Sequence, residues 1–391
     1  MQIIKLIKIW NLIIFSGVLL LQSSCVKRDE LSLNKDISLF AFIISDNDLD
    51  DHTDYIENDF VRGLKGCPVG TEMFLYVDRQ FENPTLIHLV LLESGQVAIK
   101  RTWNYEEQCS TSPSVFRNIL FTMIDNSSGR QYGLFYWSHG NGWLSGLYPD
   151  QTNNSSTRSL GADGAYSMNL GDFASVISNT KIPLFTVLDA CFMGSVEVAY
   201  ELRNATGYLI SSPAETYGVC FPYHTMIPEL VNGTKQSMIK SLDNYLEFCY
   251  SDYYQDGQIS GMASLTDCSQ MDSLASAFKS IINSSISLHN DHDSIQSFDG
   301  PFSHLYYDFG QYAAAIARNA KQFEAFNEQL KKTVIYKVST PYIYSSSAFP
   351  ENMLKVYHFS GLSSYIPGTN SYYDLLYSLT DWYNFCYGTR E

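Results

Sequence analysis

The eight cysteines of this 391-residue chain never fall into a C-x-x-C spacing. That argues against a zinc ribbon and a thioredoxin-like redox centre. No G-x-S-x-G elbow occurs, which disfavours an α/β-hydrolase. Basic residues are scarce: 25 Lys and Arg stand against 41 Asp and Glu, a net charge of −16. A nucleic-acid partner needs a basic face, so none is expected, and charge attraction to anionic lipid is disfavoured too. A dinucleotide loop is also missing. Gly140 and Gly142 follow an apolar run, but Gly146 is one residue out of place and Trp143-Leu144 fills the turn. Asp46, Asp48, Asp50 and Glu57 match positions 1, 3, 5 and 12 of a calcium loop, yet Asp51 stands where glycine is required. This stretch therefore reads as a capped helix start. His224 and His304 lack metal-ligand spacing. What the chain does have is 45% hydrophobic and 17% charged residues, the balance of a globular protein.

The N-terminus reads as an export signal and not as fold. Lys5 and Lys8 form a basic head, Ile9 to Leu21 an apolar stretch too short to span a membrane, and Ser23-Ser24 precede Cys25. The segment resembles a bacterial lipobox, with Gln22 where leucine is usual. Cys25 is then the lipidated first residue of an exported lipoprotein of the cell envelope, outer membrane, periplasmic or surface-facing. An ordinary cleaved signal is the alternative. Loss of Lys5 and Lys8 takes the net charge to near −18. The expected organisation is a signal at 1–24, a tether at 25–36, a catalytic core at 37–240 and a C-terminal subdomain at 241–391. Six cysteines besides Cys25 and Cys191 are available for pairing in an exported protein.

Continuous apolar runs predict buried strands at Ile37 to Ile44, Glu72 to Asp78, Leu86 to Leu92, Tyr132 to Trp137, Pro183 to Leu188 and Gly207 to Ser211. Asn83-Pro84 reads as a breaker between two of them. Helices are expected after Asp46-Asn47-Asp48, at Pro113 to Ile124, near Asn169 to Ser178 and at Ser195 to Leu202, with a loop from Pro149 to Gly164. Strands alternating with helices imply a largely parallel α/β sheet. Beyond residue 240, helices at Met271 to Ile282 and Gln311 to Leu330 precede strands at Thr333 to Tyr344 and Lys355 to Phe359.

Two of these strands end in reactive side chains. Tyr132 to Trp137 delivers His139, followed by Gly140. Pro183 to Leu188 delivers Cys191, preceded by Asp189 and Ala190. Open α/β sheets build active sites at the carboxyl ends of their strands. A thiol and an imidazole placed there suggest a nucleophile and its acid/base partner. The N–H groups of Gly140 and Cys191 are candidates for an oxyanion hole. A helix starting just after Cys191 would lower the thiol pKa through its dipole.

WSHGNGW with the downstream DACFMGSVEVAYEL resembles the clostripain-like cysteine peptidases, in the clan of gingipains, caspases and legumains. AFIISDNDLD, YLISSPAETYGVCFPY and YHFSGLSSYIP are similar to further segments of that family, so the likeness spans most of residues 37 to 367. It implies a caspase-like three-layer α/β sandwich with a mostly parallel central sheet and a C-terminal α+β elaboration. It also implies a Cys191–His139 dyad working through an acyl-enzyme, with no third member assigned. Cleavage after Arg or Lys is expected, with Asp189 or Glu215 as the acid in the S1 pocket. Gly218 to Phe221 occupy the stretch where relatives place a later acid, so a neutral P1 stays open. Relatives often mature between His and Cys, which makes Arg158 a candidate self-cleavage site. No cofactor is required, although calcium, needed by some relatives, stays open. Protein or peptide substrates and a monomer are expected. The competing class is a catalytically silent lipoprotein that binds peptides or glycans on the same fold.

Overall fold

The computed structural model describes residues 36–145, 158–251, 259–283, 292–300, 304–348, 351–368 and 370–388. Cys25 and the expected signal and tether lie outside them, Asp36 apart. Strand β1 (Ile37–Ser45) is buried along its whole length, as its uninterrupted apolar run requires. Its side chains alternate between two cores. Leu39, Ala41 and Ile43 face one, and Phe40, Phe42 and Ile44 face the other. Helix α1 (Asp50–Lys65) follows, then β2 (Glu72–Arg79), β3 (Glu82–Leu91), β4 (Val97–Asn104), α2 (Pro113–Asn126) and β5 (Gln131–Trp137). A three-stranded sheet, β6 (Gly140–Ser145), β7 (Arg158–Asp163) and β8 (Tyr166–Asn169), leads into α3 (Leu170–Ser178). Next come β9 (Phe185–Asp189), α4 (Val196–Glu201), β10 (Tyr208–Ser211), α5 (Tyr223–Leu230) and α6 (Lys235–Cys249). The described remainder includes β11 (Met262–Asp267), α7 (Met271–Ile282), β12 (Tyr307–Asp308), α8 (Phe309–Ile316), α9 (Ala320–Thr333), β13 (Val334–Ser339) and β14 (Tyr342–Tyr344).

The main sheet runs β13-β11-β10-β9-β5-β1-β2-β3-β4. Its five central strands, β10, β9, β5, β1 and β2, are parallel. The outer pairs, β3 with β4 and β11 with β13, join antiparallel. Helices α1, α5 and α6 cover one face, and α2, α3, α4, α7, α8 and α9 cover the other. This is the expected three-layer sandwich.

Several local expectations are corrected. Pro84 does not break the chain but lies within β3, beside a register shift near the hairpin end, where a missing N–H is tolerated. Strand β4 is polar and exposed along much of its length, so it had no apolar signature. Part of the expected loop 149–164 is β7. The single helix expected at 311–330 is two, because Asn319 caps α9 by accepting from the Gln322 N–H at 3.0 Å. The strand expected at 355–359 is the short Met353–Lys355 instead. The expected C-terminal part, 241–391, is packed on the core in its described residues: β11 and β13 extend the main sheet, and the aromatic residues Phe309, Tyr312, Tyr365 and Trp382 are buried. The seven described cysteines are all free. Among the described residues no helix is long and apolar enough to cross a membrane.

Asp78, at the end of β2, is fully buried, and neither of its carboxyl oxygens has a hydrogen bond of normal geometry. Burial pushes its carboxyl from 3.8 up to about 7; the nearby Ser110 hydroxyl offsets part of this, and Asp163, Glu107 and Asp46 add to it. Between these values the unfolded chain releases the proton that the folded chain keeps. Folding stability therefore falls as pH rises from about 4 to 7, and the penalty stays in full above that. Asp78→Asn should stabilise the protein at pH 8, by up to about 4 kcal/mol, and hardly at pH 4. Denaturant titrations of both proteins at the two pH values check this.

Candidate active site

His139 and Cys191 follow β5 and β9, which are adjacent and parallel, with Trp137 level with Asp189. Both residues line one cleft of about 920 Å³, together with Asp48, Gln80, Glu215 and Tyr344. No hydrogen bond joins the thiol to the imidazole. They line the same cleft from neighbouring strand ends.

Ser138 and Asn47 position the imidazole. The Ser138 hydroxyl donates to the Ile44 carbonyl at 2.7 Å and accepts from the Ala162 N–H at 3.1 Å. This ties the ends of β1, β5 and β7 together. The Gly161 N–H donates to the His139 carbonyl at 2.8 Å. Asn47 donates to the Ala162 carbonyl at 2.7 Å and accepts from the Leu49 N–H at 2.8 Å, closing the turn before α1. That turn presents Asp48, whose Oδ1 accepts from His139 Nε2 at 2.6 Å. The hydrogen bond from His139 holds the Asp48 carboxyl below the usual carboxylate value, with partial burial opposing. A carboxylate only accepts, so the bond places the ring proton on Nε2 and leaves Nδ1 as the acceptor of neutral His139.

Asp48 is the residue that sequence reasoning missed. Asp46-Asn47-Asp48 looked like a helix cap, yet the N-cap of α1 is Leu49 and no side chain caps it. The signal was there in part, since Asp48 follows β1 and His139 follows β5, but only the sheet order makes those strands neighbours. Asp48 is engaged by His139 and Asp50 by Arg79 at 3.1 Å. Among the described residues no group of three or more His, Cys, Asp or Glu is arranged to hold a metal. His224 pairs with Asp59, and His304 with Asp299.

The turn carrying Cys191 is built by close packing. A Cβ on Gly140 would meet the Ala190 Cβ at 2.8 Å and the Cys191 carbonyl at 2.9 Å, so only glycine lets the two strand ends approach. Phe192 adopts a φ of 61° and stacks on Tyr306 at 4.2 Å. The Phe192 N–H donates to the Ala214 carbonyl at 3.0 Å, and the Gly194 N–H to Ser212 at 2.7 Å. On the far side, the Ser363 N–H donates to the Gly194 carbonyl at 3.1 Å, so the C-terminal segment buttresses the turn. Glu197 completes that brace by accepting from the Tyr365 N–H and the Ser364 hydroxyl, both at 3.1 Å.

Helix α4 starts only at Val196, so the expected help from a helix dipole at Cys191 does not hold. The dipole acts within about one turn of the helix end. The half-buried thiol is instead pushed up by burial. Thr216 opposes this, its N–H donating to Sγ at 3.3 Å, while Glu215 and Asp189 add to the rise. A resting thiol of this kind needs a base to become a thiolate.

The two acidic candidates differ. Glu215 lines the cleft and is held by Ser346, whose N–H and hydroxyl both donate to its carboxylate, the hydroxyl at 3.0 Å. Asp189, two residues before Cys191, is buried and is not part of the cleft lining. Its Oδ2 accepts from the Tyr223 hydroxyl at 2.7 Å, and its Oδ1 has no hydrogen bond of normal geometry. Burial pushes its carboxyl up to about 7, against the Tyr223 and Phe221 hydrogen bonds. Gly140 and Cys191 both line the cleft, as an oxyanion hole would need. Arg158 is the first residue of β7, its backbone paired with Ser145.

A clostripain-family model matches residues 41–387. The chain belongs to the clostripain family. It is therefore a cysteine-type peptidase. A secreted C11 cysteine protease from Bacteroides thetaiotaomicron, "iotapain", is similar at 25% identity and a TM-score of 0.79, over 90% of this chain and 99% of that one. The structure of a secreted C11 cysteine protease from the same organism with an irreversible peptide inhibitor matches at 25% identity and a TM-score of 0.77, over 90% and 98%. A clostripain from Bacteroides thetaiotaomicron bound to the peptide inhibitor BTN-VLTK-AOMK is 30% identical at a TM-score of 0.52, over 58% of this chain and 97% of that one. No curated protein sequence matches.

Proposed function

We propose that the peptidase is an endopeptidase in which Cys191 is the nucleophile and His139 the acid/base, with Arg or Lys preferred at P1. The observation that carries this is the meeting of thiol and imidazole at the ends of adjacent parallel strands in one cleft. Cys191 gives its proton to His139, and the thiolate attacks the scissile carbonyl. The N–H groups of Gly140 and Cys191 receive the oxyanion. His139 returns the proton to the leaving amine, and a thioester forms as the C–N bond breaks. Water, deprotonated by His139, then hydrolyses the thioester and restores the thiol.

Basic specificity is supported by Glu215 on the cleft wall and by the buried Asp189 carboxyl two residues before Cys191, one oxygen of which has no hydrogen bond of normal geometry. The Bacteroides thetaiotaomicron clostripain was captured with a peptide, VLTK, that ends in lysine next to AOMK. Export with Cys25 lipidated belongs to the same reading, and a similar protease is described as secreted. Self-cleavage after Arg158 belongs to it as well, and the intact mass of wild type beside Cys191→Ala tests that step.

A P1-varied fluorogenic peptide library tests the specificity. Arg and Lys substrates should lead, and Asp189→Asn should lower their kcat/KM by about 10²-fold or more while sparing neutral P1 residues. The Asp189 carboxyl ionises as pH rises through about 7. KM for basic substrates in wild type should therefore fall between pH 6 and 8, and that slope should vanish in Asp189→Asn. Preference for a neutral P1 in wild type would keep the dyad and discard the acidic pocket.

A further inference from the structure

Phe81 is fully exposed, at 100% of its possible surface, and has a φ of 65°. It sits in a two-residue turn with Gln80, since Arg79 pairs directly with Glu82 across the β2–β3 hairpin. A positive φ at the second turn position favours glycine or asparagine, and a bulky residue there is strained. Exposure and strain together mean that neither core packing nor turn geometry explains this aromatic ring. The turn is also held rigidly. Arg79 donates to Asp50 at 3.1 Å and to Asp54 at 3.0 Å, and the Gln80 N–H donates to Asp50 at 3.3 Å. Gln80, its neighbour, lines the cleft that holds Cys191 and His139.

The strand order says which part of a substrate would meet it. Cys191 follows β9, His139 follows β5, Asp48 follows β1, and Phe81 follows β2. His139 protonates the leaving amine, so the leaving half of the peptide lies on its side of the thiol. Phe81 lies further in that direction. The three strand steps from β9 to β2 span about 14 Å, and an extended peptide covers that in about four residues.

We propose that Phe81 is a specificity-determining residue for the leaving half of the substrate, offering its ring to an apolar side chain three or four residues past the scissile bond. This rests on the dyad reading above, with His139 as the acid. Two substrate sets with the same P1 side test it. One is a fluorogenic amide that ends in the dye. The other is a set of internally quenched peptides reaching six residues past the cut, with Leu, Phe, Gly or Asp at the third and fourth. Wild type should favour Leu and Phe over Gly and Asp at least fivefold in kcat/KM, mainly through KM. Phe81→Ala should erase that preference, Phe81→Trp should keep it, and the dye amide should change less than twofold in either variant. Phe81→Gly should also lose the preference while its thermal midpoint rises by about 1–3 °C, since the strain is gone. An unchanged apolar preference in Phe81→Ala, or an equal loss on dye amide and peptides, would overturn the proposal. Wild type silent on both substrate sets would instead overturn the dyad reading beneath it.

Discussion

Cys191→Ala should abolish cleavage of every peptide that wild type cuts, and His139→Ala should lower kcat by about 10²–10⁴-fold. The two losses have different causes. Alanine removes the only atom that can carry the acyl group, so no alternative nucleophile of comparable strength remains in the cleft. Loss of the imidazole leaves the thiol in place but protonated, because burial raises its pKa and no helix start lies close enough to lower it. Higher pH should therefore recover part of the activity of His139→Ala, as hydroxide replaces the missing base, and none of that of Cys191→Ala. Initial rates from pH 6 to 10 on one fluorogenic peptide, with thiol labelling by a reactive peptide ketone, check both. Labelling of His139→Ala should rise with pH, whereas Cys191→Ala should stay blank. A wild type that neither cleaves nor labels above Cys191→Ala would favour the silent binding protein.

Asp48→Ala should lower kcat by about 10–100-fold with little change in KM. The carboxylate does not touch substrate in this reading. It orients the ring and keeps the proton on Nε2, so that Nδ1 accepts the thiol proton and later delivers it to the leaving amine. The effect stays below that of a buried triad carboxylate because Asp48 is 86% exposed and water can take its place. Asp48→Asn retains an acceptor oxygen and loses the charge, so it should recover part of the activity; a mere packing role would make the two variants alike. The hydrogen bond lowers the Asp48 pKa, so the contact is present above the ordinary carboxylate value and fails only below it. The ratio of wild-type to Asp48→Ala kcat should hence stay flat from pH 8 down to about 5. A ratio near one, or a change confined to KM, would remove Asp48 from the machinery.

The buried strands were legible in the residues because a parallel strand covered on both faces must be apolar throughout, as Ile37–Ser45, Gln131–Trp137 and Phe185–Asp189 are. Their reactive ends were legible for the same reason: a polar His or Cys stands out where the apolar run stops. Strand β4 was not legible, since an exposed antiparallel edge has no such signature. Nor was the break between α8 and α9, which depends on one capping asparagine inside a helical pattern.

By itself, then, the sequence determined the layered α/β class, the placing of His139 and Cys191 just past two strand ends, and the family, since these rest on local patterns of burial and spacing. Only the tertiary structure decided that Asp48 accepts from His139, that Asp189 is buried outside the cleft lining, that no helix starts close to Cys191, and that Gln80, next to Phe81, lines the cleft. Each of these depends on which strands are neighbours and where a turn ends. Contacts between residues 91 positions apart, such as Asp48 and His139, leave no periodic trace in a single chain. They come into being when the sheet brings the strand ends together.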